Sequence, residues 1–276
     1  IMGKRILVAV VCIPLIFVVF FWLPPIFLPI MISLLSMIAL HEVLWSTGFV
    51  KNPKISGLSI VLSGVIPFWV YIGEGMRSAL VGIFLYFVLI FVVAISSHYT
   101  VTLEKMGGSF FFAMLIPYFL SSFVRLDSMD LGEYLILIPL VAAFTSDAFA
   151  LFAGMAFGKH KLAPELSPKK TVEGAVGGVA GSVAATLIYG FVMSACFGAA
   201  AVRYGLLILY ALLGAVVAQF GDLAFSYIKR QYDIKDYGTI FPGHGGVLDR
   251  FDSVIFCAPL LEILIVYFPA IQGAVG

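Results

Sequence analysis

The sequence predicts an all-α polytopic membrane protein with about nine transmembrane helices. Of its 276 residues, 62% are hydrophobic and only 11% are charged. Soluble domains contain about 45–50% apolar and about 25% charged residues, so this chain lacks the polar side chains that would cover a soluble surface. Its apolar residues also fall into runs close to the length of about 20 that a spanning helix requires. Because lipid offers the backbone no hydrogen-bonding partner, we expect these runs to be helices.

The apolar runs predict nine spans, and Pro24-Pro25 separates the first two. The predicted spans lie near 6–23, 26–46, 56–73, 78–98, 109–124, 131–157, 174–196, 203–227 and 253–272. We find no internal repeat and no soluble domain, so residues 1–276 are interpreted as one integral membrane domain. Within it, residues 1–130 are interpreted as spans for packing or lipid contact, and residues 131–276 as the part that carries the active site.

The basic residues predict the orientation of the chain. With nine spans and a cytoplasmic N-terminus, thirteen of the sixteen Lys and Arg residues fall on the cytoplasmic side. The outer side receives only Arg77, Arg125 and Arg203. This asymmetry agrees with the positive-inside rule. The two longest polar segments, 158–173 and 228–252, are then both cytoplasmic, and the sequence predicts a polar site at that face.

Charge and cysteine content exclude other classes of protein. The formal net charge is +1, which argues against nucleic-acid binding as the main task. The three cysteines, Cys12, Cys196 and Cys257, lie in apolar stretches without metal-ligand spacing, so we interpret them as packing residues.

Four acidic residues lie within predicted spans, where a carboxylate is costly. They are Glu42, Asp147, Asp222 and Glu262. On a helix, the residues four, seven and eight positions after Asp222 share its face, and these are Ser226, Lys229 and Arg230. This face is either a buried salt-bridge seam or the wall of a polar cavity open to the cytoplasm.

Charge is concentrated between Lys229 and Asp252, where eight of the 31 charged residues occupy 24 positions. Asp249 and Asp252 lie three residues apart, so a helix would place both on one face. Such a pair suits Mg²⁺ or Mn²⁺, although Asp is also favoured at a helix start. The glycine-rich stretch before the pair, "FPGHGG", would allow close backbone approach to an anion, although Pro-Gly is also ordinary turn chemistry.

The other long polar segment reads "GKHKLAPELSPKKTVEG". Ser167-Pro168 predicts a helix start with proline in the first turn. Lys169 and Lys170 beside it form either an anion site or a solvated basic loop that sets topology. The glycines that follow, at positions 174, 177, 178 and 181, have small-xxx-small spacing and predict helix packing.

The stretch from Ser226 to Asp252, "SYIKRQYDIKDYGTIFPGHGGVLDRFD", resembles the signature of the phosphatidate cytidylyltransferases, or CDP-diacylglycerol synthases. All fixed positions of that signature are filled, by Ser226, Lys229, Arg230, Lys235, Asp236, Gly238, Pro242, His244, Gly245, Gly246, Asp249, Arg250 and Asp252. The signature covers 27 of the 276 residues, and the rest of the chain agrees with the family in size and multispan character.

The resemblance implies a nucleotidyltransferase of phospholipid biosynthesis that condenses CTP with phosphatidic acid to give CDP-diacylglycerol and pyrophosphate. It implies a divalent cation, Mg²⁺ or Mn²⁺, and leaves room for a second cation and for a homodimer. We expect the cation to be held by Asp222 and Asp249, with Asp252 and Asp147 as further candidates. Catalytic roles are expected of Lys229, Arg230 and His244 beside Asp222 and Asp249. Substrate binding is expected of Lys170, Ser226, Lys235, Gly245, Gly246 and Arg250.

The resemblance also implies an integral protein of a prokaryotic inner membrane, with its active site facing the cytoplasm. The alternative is a cation-coupled transporter that uses intramembrane Asp and Glu residues. A transporter would be expected to show paired, broken helices in repeated halves, which the sequence lacks. A lipid-binding scaffold that retains the signature without activity is a third hypothesis.

Overall fold

A computed structural model of the chain describes residues 14–73, 75–98, 100–197, 201–240 and 245–272. Helices dominate these residues, and the strands are short. The helices are α1 (14–21), α2 (Phe27–Ser46), α3 (Pro53–Ile72), α4 (Gly75–Ser96), α5 (Leu103–Leu120), α6 (Ser122–Asp127), α7 (Gly132–Leu135), α8 (Ile138–Phe157), α9 (Val172–Phe197), α10 (Tyr204–Gln231) and α11 (Leu248–Tyr267). The strands are β1 (Lys161–Ala163), β2 (Ser167–Thr171), β3 (Ala201–Val202) and β4 (Ile271–Gln272).

The described residues contain seven helical segments that are long and apolar enough to cross a membrane. These segments are Phe27–Ser46, Pro53–Ile72, Ala79–Ser96, Leu103–Asp127, Gly132–Phe157, Val172–Cys196 and Tyr204–Gln231. They correspond to the second to eighth predicted spans, which confirms a predominantly helical membrane protein. Of the first predicted span, residues 6–13 lie outside the described residues, and the described part contains α1 (14–21). The ninth corresponds to α11, whose start carries three charged residues, so the total of nine remains a prediction.

The chain divides into two compact units. One unit comprises Ile1–Arg125 and Gln231–Phe251, and the other comprises Leu126–Arg230 and Asp252–Gly276. In the first unit, α2 packs against α3 and α5, and α3 packs against α4 and α5. The Ser33 hydroxyl on α2 donates to the Gly64 carbonyl on α3 over 2.7 Å. The start of α3 is capped by Asn52, whose side chain accepts from Lys54 N at 3.0 Å.

In the second unit, α8 and α9 form the most extensive helix pair. The α9 glycines at 174, 177, 178 and 181 all face α8, because a Cβ added at any of them would contact α8 atoms. Ser182 on the next turn donates to the Ala142 carbonyl of α8 over 3.1 Å. The small-residue spacing therefore serves helix packing, as the sequence predicted.

The segment before α9 corrects one prediction. Ser167-Pro168 does not begin a helix. It lies in β2, which pairs antiparallel with β1 in register Lys161↔Thr171 and Ala163↔Ser167. The residue before a proline is disfavoured in helical conformation, which suits an extended strand. Helix α9 begins four residues later, where the Thr171 hydroxyl accepts from Gly174 N at 3.1 Å.

Of the two described cysteines, Cys257 agrees with the predicted packing role and Cys196 does not. Cys257 is buried and Cys196 is exposed, and both are free thiols. The Cys257 Sγ lies 3.8 Å from the Pro139 carbonyl oxygen. Cys12 lies outside the described residues.

Candidate active site

In the first unit, the two residues that follow the glycine-rich loop, Val247 and Leu248, are held by a carboxylate from a distant helix. Glu42, near the end of α2, is only 4% exposed. Its Oε1 accepts from Val247 N at 3.0 Å, and its Oε2 accepts from Leu248 N at 2.8 Å. These N–H groups lie at the start of α11, where helix geometry leaves them without intrahelical acceptors. Glu42 therefore caps α11 from α2.

Asp249 holds the same loop from the other direction. Its Oδ2 accepts from Tyr237 N at 2.8 Å and from Gly246 N at 2.9 Å. Gly245 next to it has φ +84°, and a Cβ there would press against the Asp249 carboxylate. Glycine is therefore required at 245 on two grounds, conformation and space. Asp249 itself is 8% exposed.

The segment between α10 and the glycine-rich loop is anchored by Tyr237, which is fully buried. Its carbonyl accepts a short hydrogen bond from the Ser46 hydroxyl at the end of α2. Directly after α10, Tyr232 packs edge-on against Phe49, with ring centroids 5.9 Å apart. Burial raises the pKa of Tyr232, and the nearby Glu104 carboxylate adds to this effect.

In the second unit, Asp222 on α10 is paired with a lysine from the β1–β2 hairpin. Lys170 Nζ lies 2.5 Å from Asp222 Oδ2, and the two side chains are 25% and 26% exposed. The Ser226 hydroxyl donates to Asp222 Oδ1 over 3.3 Å, which confirms that these two residues share a helix face. On the same helix, Arg230 Nε donates to the Leu166 carbonyl of the hairpin at 3.2 Å. Two contacts therefore tie the hairpin to α10.

Two further carboxylates of the second unit meet around Ser253. The Ser253 hydroxyl donates to Asp147 Oδ2 over 2.8 Å, and its backbone N donates to Asp252 Oδ1 over 2.8 Å. Asp252 interacts electrostatically with Asp222, Asp147 and Lys229. Both Asp252 and Lys229 are more than nine-tenths buried, at 8% and 9% exposure. This unit thus gathers three carboxylates and two lysines in a largely buried setting.

The donor chemistry of this group fits Mg²⁺ or Mn²⁺. The carboxylate oxygens of this group are hard ligands. Cys257, in the same unit, is not part of the group, because its thiol faces the Pro139 carbonyl. Among the described residues, no group of three or more His, Cys, Asp or Glu side chains is placed to hold a metal ion. Mg²⁺ does not require such a cage, because it keeps several waters and commonly uses one or two carboxylates together with substrate phosphates.

Comparison with known proteins decides the family. A sequence model of the Cytidylyltransferase family matches residues 3–268. This chain belongs to the Cytidylyltransferase family. A phosphatidate cytidylyltransferase of Bacillus subtilis is 32% identical over 244 residues, which are 87% of this chain and 88% of that protein. One of Rickettsia bellii is 39% identical over 184 residues, covering 64% of this chain and 78% of that protein.

For this member of the Cytidylyltransferase family, the structure places the predicted site residues in two groups, one in each unit. Gly245, Gly246, Lys235, Asp249 and Arg250 belong to the first unit, with Lys235 and Arg250 exposed. The second unit holds Asp147, Lys170, Asp222, Ser226, Lys229, Arg230 and Asp252. His244 and Pro242 lie outside the described residues.

Sequence reasoning did not assign roles to several residues that support these groups. The most consequential is Glu42, which the sequence marked only as an acid in a span. Gln219 on α10 donates to the Ala175 carbonyl at 3.0 Å and to the Ser146 hydroxyl at 3.2 Å. Glu173 accepts from His160 Nδ1 at 2.6 Å and closes the hairpin onto α9. A buried acid in a span signals a required partner, but the sequence does not name that partner.

Proposed function

We propose that this chain is the enzyme that condenses CTP with phosphatidic acid, releasing pyrophosphate and forming CDP-diacylglycerol. The observation that carries the proposal is the complete 27-residue signature from Ser226 to Asp252, within a chain that the family match covers from residue 3 to residue 268. The relatives named phosphatidate cytidylyltransferase support the same reaction. They favour it over the transporter hypothesis, which has no comparable support.

The reaction joins two anions. A phosphate oxygen of phosphatidate attacks the α-phosphorus of CTP, the bond from that phosphorus to the bridging oxygen breaks, and pyrophosphate leaves. The phosphatidate phosphate is itself the nucleophile, so the enzyme needs no covalent intermediate. The protein must neutralise the mutual repulsion and hold the reacting atoms in line.

The basic residues of the signature supply fixed positive charge for this task. In the second unit we assign phosphate neutralisation to Lys170, Lys229 and Arg230. Lys229 is the most buried of these, and a desolvated cation acts more strongly on a phosphate than an exposed one. Lys235 and Arg250 of the first unit are exposed, which suits the recruitment of an anionic nucleotide. His244 is assigned a phosphate contact on the signature alone.

We propose that the glycine-rich loop lets the nucleotide phosphates approach its backbone closely. Close approach requires residues without side chains, and Gly245 and Gly246 satisfy this requirement. The N–H of Gly246 already donates to Asp249, and those of Val247 and Leu248 donate to Glu42. These hydrogen bonds set the backbone of residues 246–248 before the substrate binds.

For the cation we assign Asp222 and Asp252 in the second unit, with Asp147 supporting them through Ser253. Asp249 remains a predicted ligand, and its Oδ2 serves the loop. When bound, a divalent cation supplies charge that offsets the developing negative charge on the phosphates.

Release of pyrophosphate by the purified protein tests the proposal directly. With CTP and phosphatidate in detergent micelles, we expect pyrophosphate and CDP-diacylglycerol in equal amounts. Omission of either substrate, or chelation of divalent cations, should abolish both products. ATP, GTP and UTP in place of CTP serve as matched controls for the base. Failure to form CDP-diacylglycerol with Mg²⁺ or Mn²⁺ present would reject the proposed activity.

We also propose that the site faces the cytoplasm of a bacterial inner membrane, because CTP is a cytoplasmic metabolite and the charge asymmetry favours this orientation. In a background without the native cysteines, single cysteines at Lys169 and Thr239 should react with a membrane-impermeant maleimide only from the cytoplasmic side. Both positions are exposed, whereas the neighbouring Tyr237 is buried.

Gly205 provides the opposite control for the orientation. It lies beside Arg203 on the predicted outer side, and a Cβ there would have no atom within 4 Å. A cysteine at Gly205 is therefore expected to react only from outside. Labelling of Lys169→Cys and Thr239→Cys from opposite faces would contradict the predicted span count.

A further inference from the structure

We propose that Glu42 is a positioning residue for cytidylyl transfer, acting by holding Gly238 and residues 246–248 of the signature segment in the arrangement that receives the nucleotide. This inference rests on the proposed function. It starts from the Glu42 carboxylate, which lies on an apolar helix and is only 4% exposed. Both of its oxygens accept hydrogen bonds from backbone N–H groups at the end of the loop. Glu42 touches neither of the residues to which we assign the cation.

A carboxylate in an apolar helix needs a compensating partner. A basic side chain is the usual one, but the hydrogen bonds of Glu42 run to Val247 N and Leu248 N. These groups carry the partial positive charge of the α11 N-terminus, which favours an anion. Charged acceptors form stronger hydrogen bonds than neutral ones, so the loop is held more tightly than a neutral cap would hold it.

The space around Glu42 explains two glycines of the signature. A Cβ added at Gly238 or at Gly246 would collide with the Glu42 carboxylate. Neither glycine has a positive φ, so backbone conformation does not require glycine at these positions. They are required because both glycines pack directly against the Glu42 carboxylate. Two glycines of the signature are therefore explained by contact with Glu42, a residue about 200 positions earlier in the chain and outside the signature.

The hydrogen bonds of Glu42 also restrict which ligands the N-terminus of α11 can bind. Because Glu42 occupies the first N–H groups of α11, a substrate phosphate does not have these donors available. Glu42 instead fixes the loop so that Gly245 and Gly246 and the basic residues that flank them keep one arrangement. A loop that is already held in its binding conformation loses less conformational entropy when the ligand binds. Loosening it should weaken nucleotide binding more than it weakens binding of the lipid.

The first test is Glu42→Gln, which keeps the shape of the side chain. The amide offers one oxygen acceptor, and its NH₂ group would face a second donor, so one loop N–H loses its partner. We expect the KM for CTP to rise by about tenfold or more, with the KM for phosphatidate changed by less than about twofold. Amide hydrogen exchange in 245–250 should accelerate by a similar factor, about tenfold.

Ser36→Ala is the matched control on the same helix. Ser36 is fully buried, and its hydroxyl has no hydrogen-bond partner in the part of the chain that the structure describes. This variant should leave both KM values and the exchange of 245–250 unchanged. A merely structural role for Glu42 would lower the folded fraction and the apparent kcat while leaving the KM for CTP unaltered, and that result would overturn the proposal.

A double-mutant cycle tests the steric contact itself and does not depend on the glutamine variant folding. Gly238→Ala alone should reduce kcat/KM for CTP by about tenfold, because its methyl group displaces the carboxylate. In a Glu42→Ala background the methyl group has space, and the same change should cost less than about threefold. Equal losses in the two backgrounds would show that the glycine and Glu42 are independent, which contradicts the proposal.

The two proposals fail in different ways. If the native protein forms no CDP-diacylglycerol, the proposed function is wrong, and hydrogen exchange of 245–250 in Glu42→Gln still reports whether Glu42 holds the loop. If the native protein is active and Glu42→Gln shows native KM values and native exchange, the proposed function stands and the role of Glu42 is wrong.

Discussion

Replacement of Asp249 by asparagine is expected to reduce the rate of CDP-diacylglycerol formation by about 10³-fold or more, the effect of losing several kcal/mol of charge stabilisation. The amide oxygen of asparagine can take the place of Asp249 Oδ2, which accepts from Tyr237 N and Gly246 N. The loop should therefore keep its course while losing one negative charge at a position that is 8% exposed. Turnover in detergent and a thermal unfolding curve measure the two effects separately.

Asp233→Asn is the matched control for this prediction. Asp233 is an exposed acid in the same loop, with φ +52°, a conformation that asparagine adopts readily. Its replacement removes the same charge from the same segment and should leave turnover within about twofold. Near-native turnover of Asp249→Asn at saturating Mg²⁺ would contradict a role in metal binding and leave Asp249 as a loop anchor.

The helical architecture could be predicted because lipid offers the backbone no hydrogen-bonding partner, so long apolar runs form helices. Seven of the nine predicted spans coincide with helices that are long and apolar enough to cross a membrane. The α9 glycines were also predictable, since small residues at a spacing of four can only serve close helix approach or backbone freedom. Helices α11 and α3 begin five and three residues before the predicted spans, because a first turn that contains charged residues or proline is not apolar.

The hairpin before α9 could not be predicted from local pattern. The segment "SPKKT" carries both a proline suited to a helix start and a residue before it that prefers extended backbone. The pairing with Lys161–Ala163 decides between them, and that pairing depends on residues outside the segment. A five-residue polar stretch contains too little periodicity to reveal such a partner.

The role of Glu42 was hidden for a different reason. Its partners are backbone N–H groups, which leave no trace in the identity of Val247 or Leu248. The only signal in the sequence is negative, namely the absence of a side chain at Gly238 and Gly246. By contrast, the α10 face of Asp222 and Ser226 was predictable, because helix periodicity fixes which residues of one element are neighbours.

Asp222→Asn is expected to lower turnover by about 10²- to 10³-fold and to raise the Mg²⁺ concentration needed for activity, because it removes a charged ligand of the proposed cation. The structure also shows the competing interpretation, since Lys170 Nζ lies 2.5 Å from Asp222 Oδ2. If the pair were only a structural salt bridge, its loss would leave Lys170 uncompensated. Breaking a fully buried pair costs about 3–5 kcal/mol of stability, whereas exposed pairs contribute about 1 kcal/mol or less.

A cycle of Asp222→Asn, Lys170→Gln and the double variant separates the two interpretations. Because both side chains are about one quarter exposed, we expect each single change to lower the free energy of unfolding by about 1 kcal/mol. If Asp222 binds the cation and Lys170 neutralises a phosphate, each change removes a different part of transition-state stabilisation, so the double variant should turn over no faster than the slower single variant. If the pair acts only as a structural unit, Lys170→Gln should restore both stability and turnover to Asp222→Asn. Restored turnover in the double variant would therefore assign Asp222 to the scaffold of α10 and the hairpin.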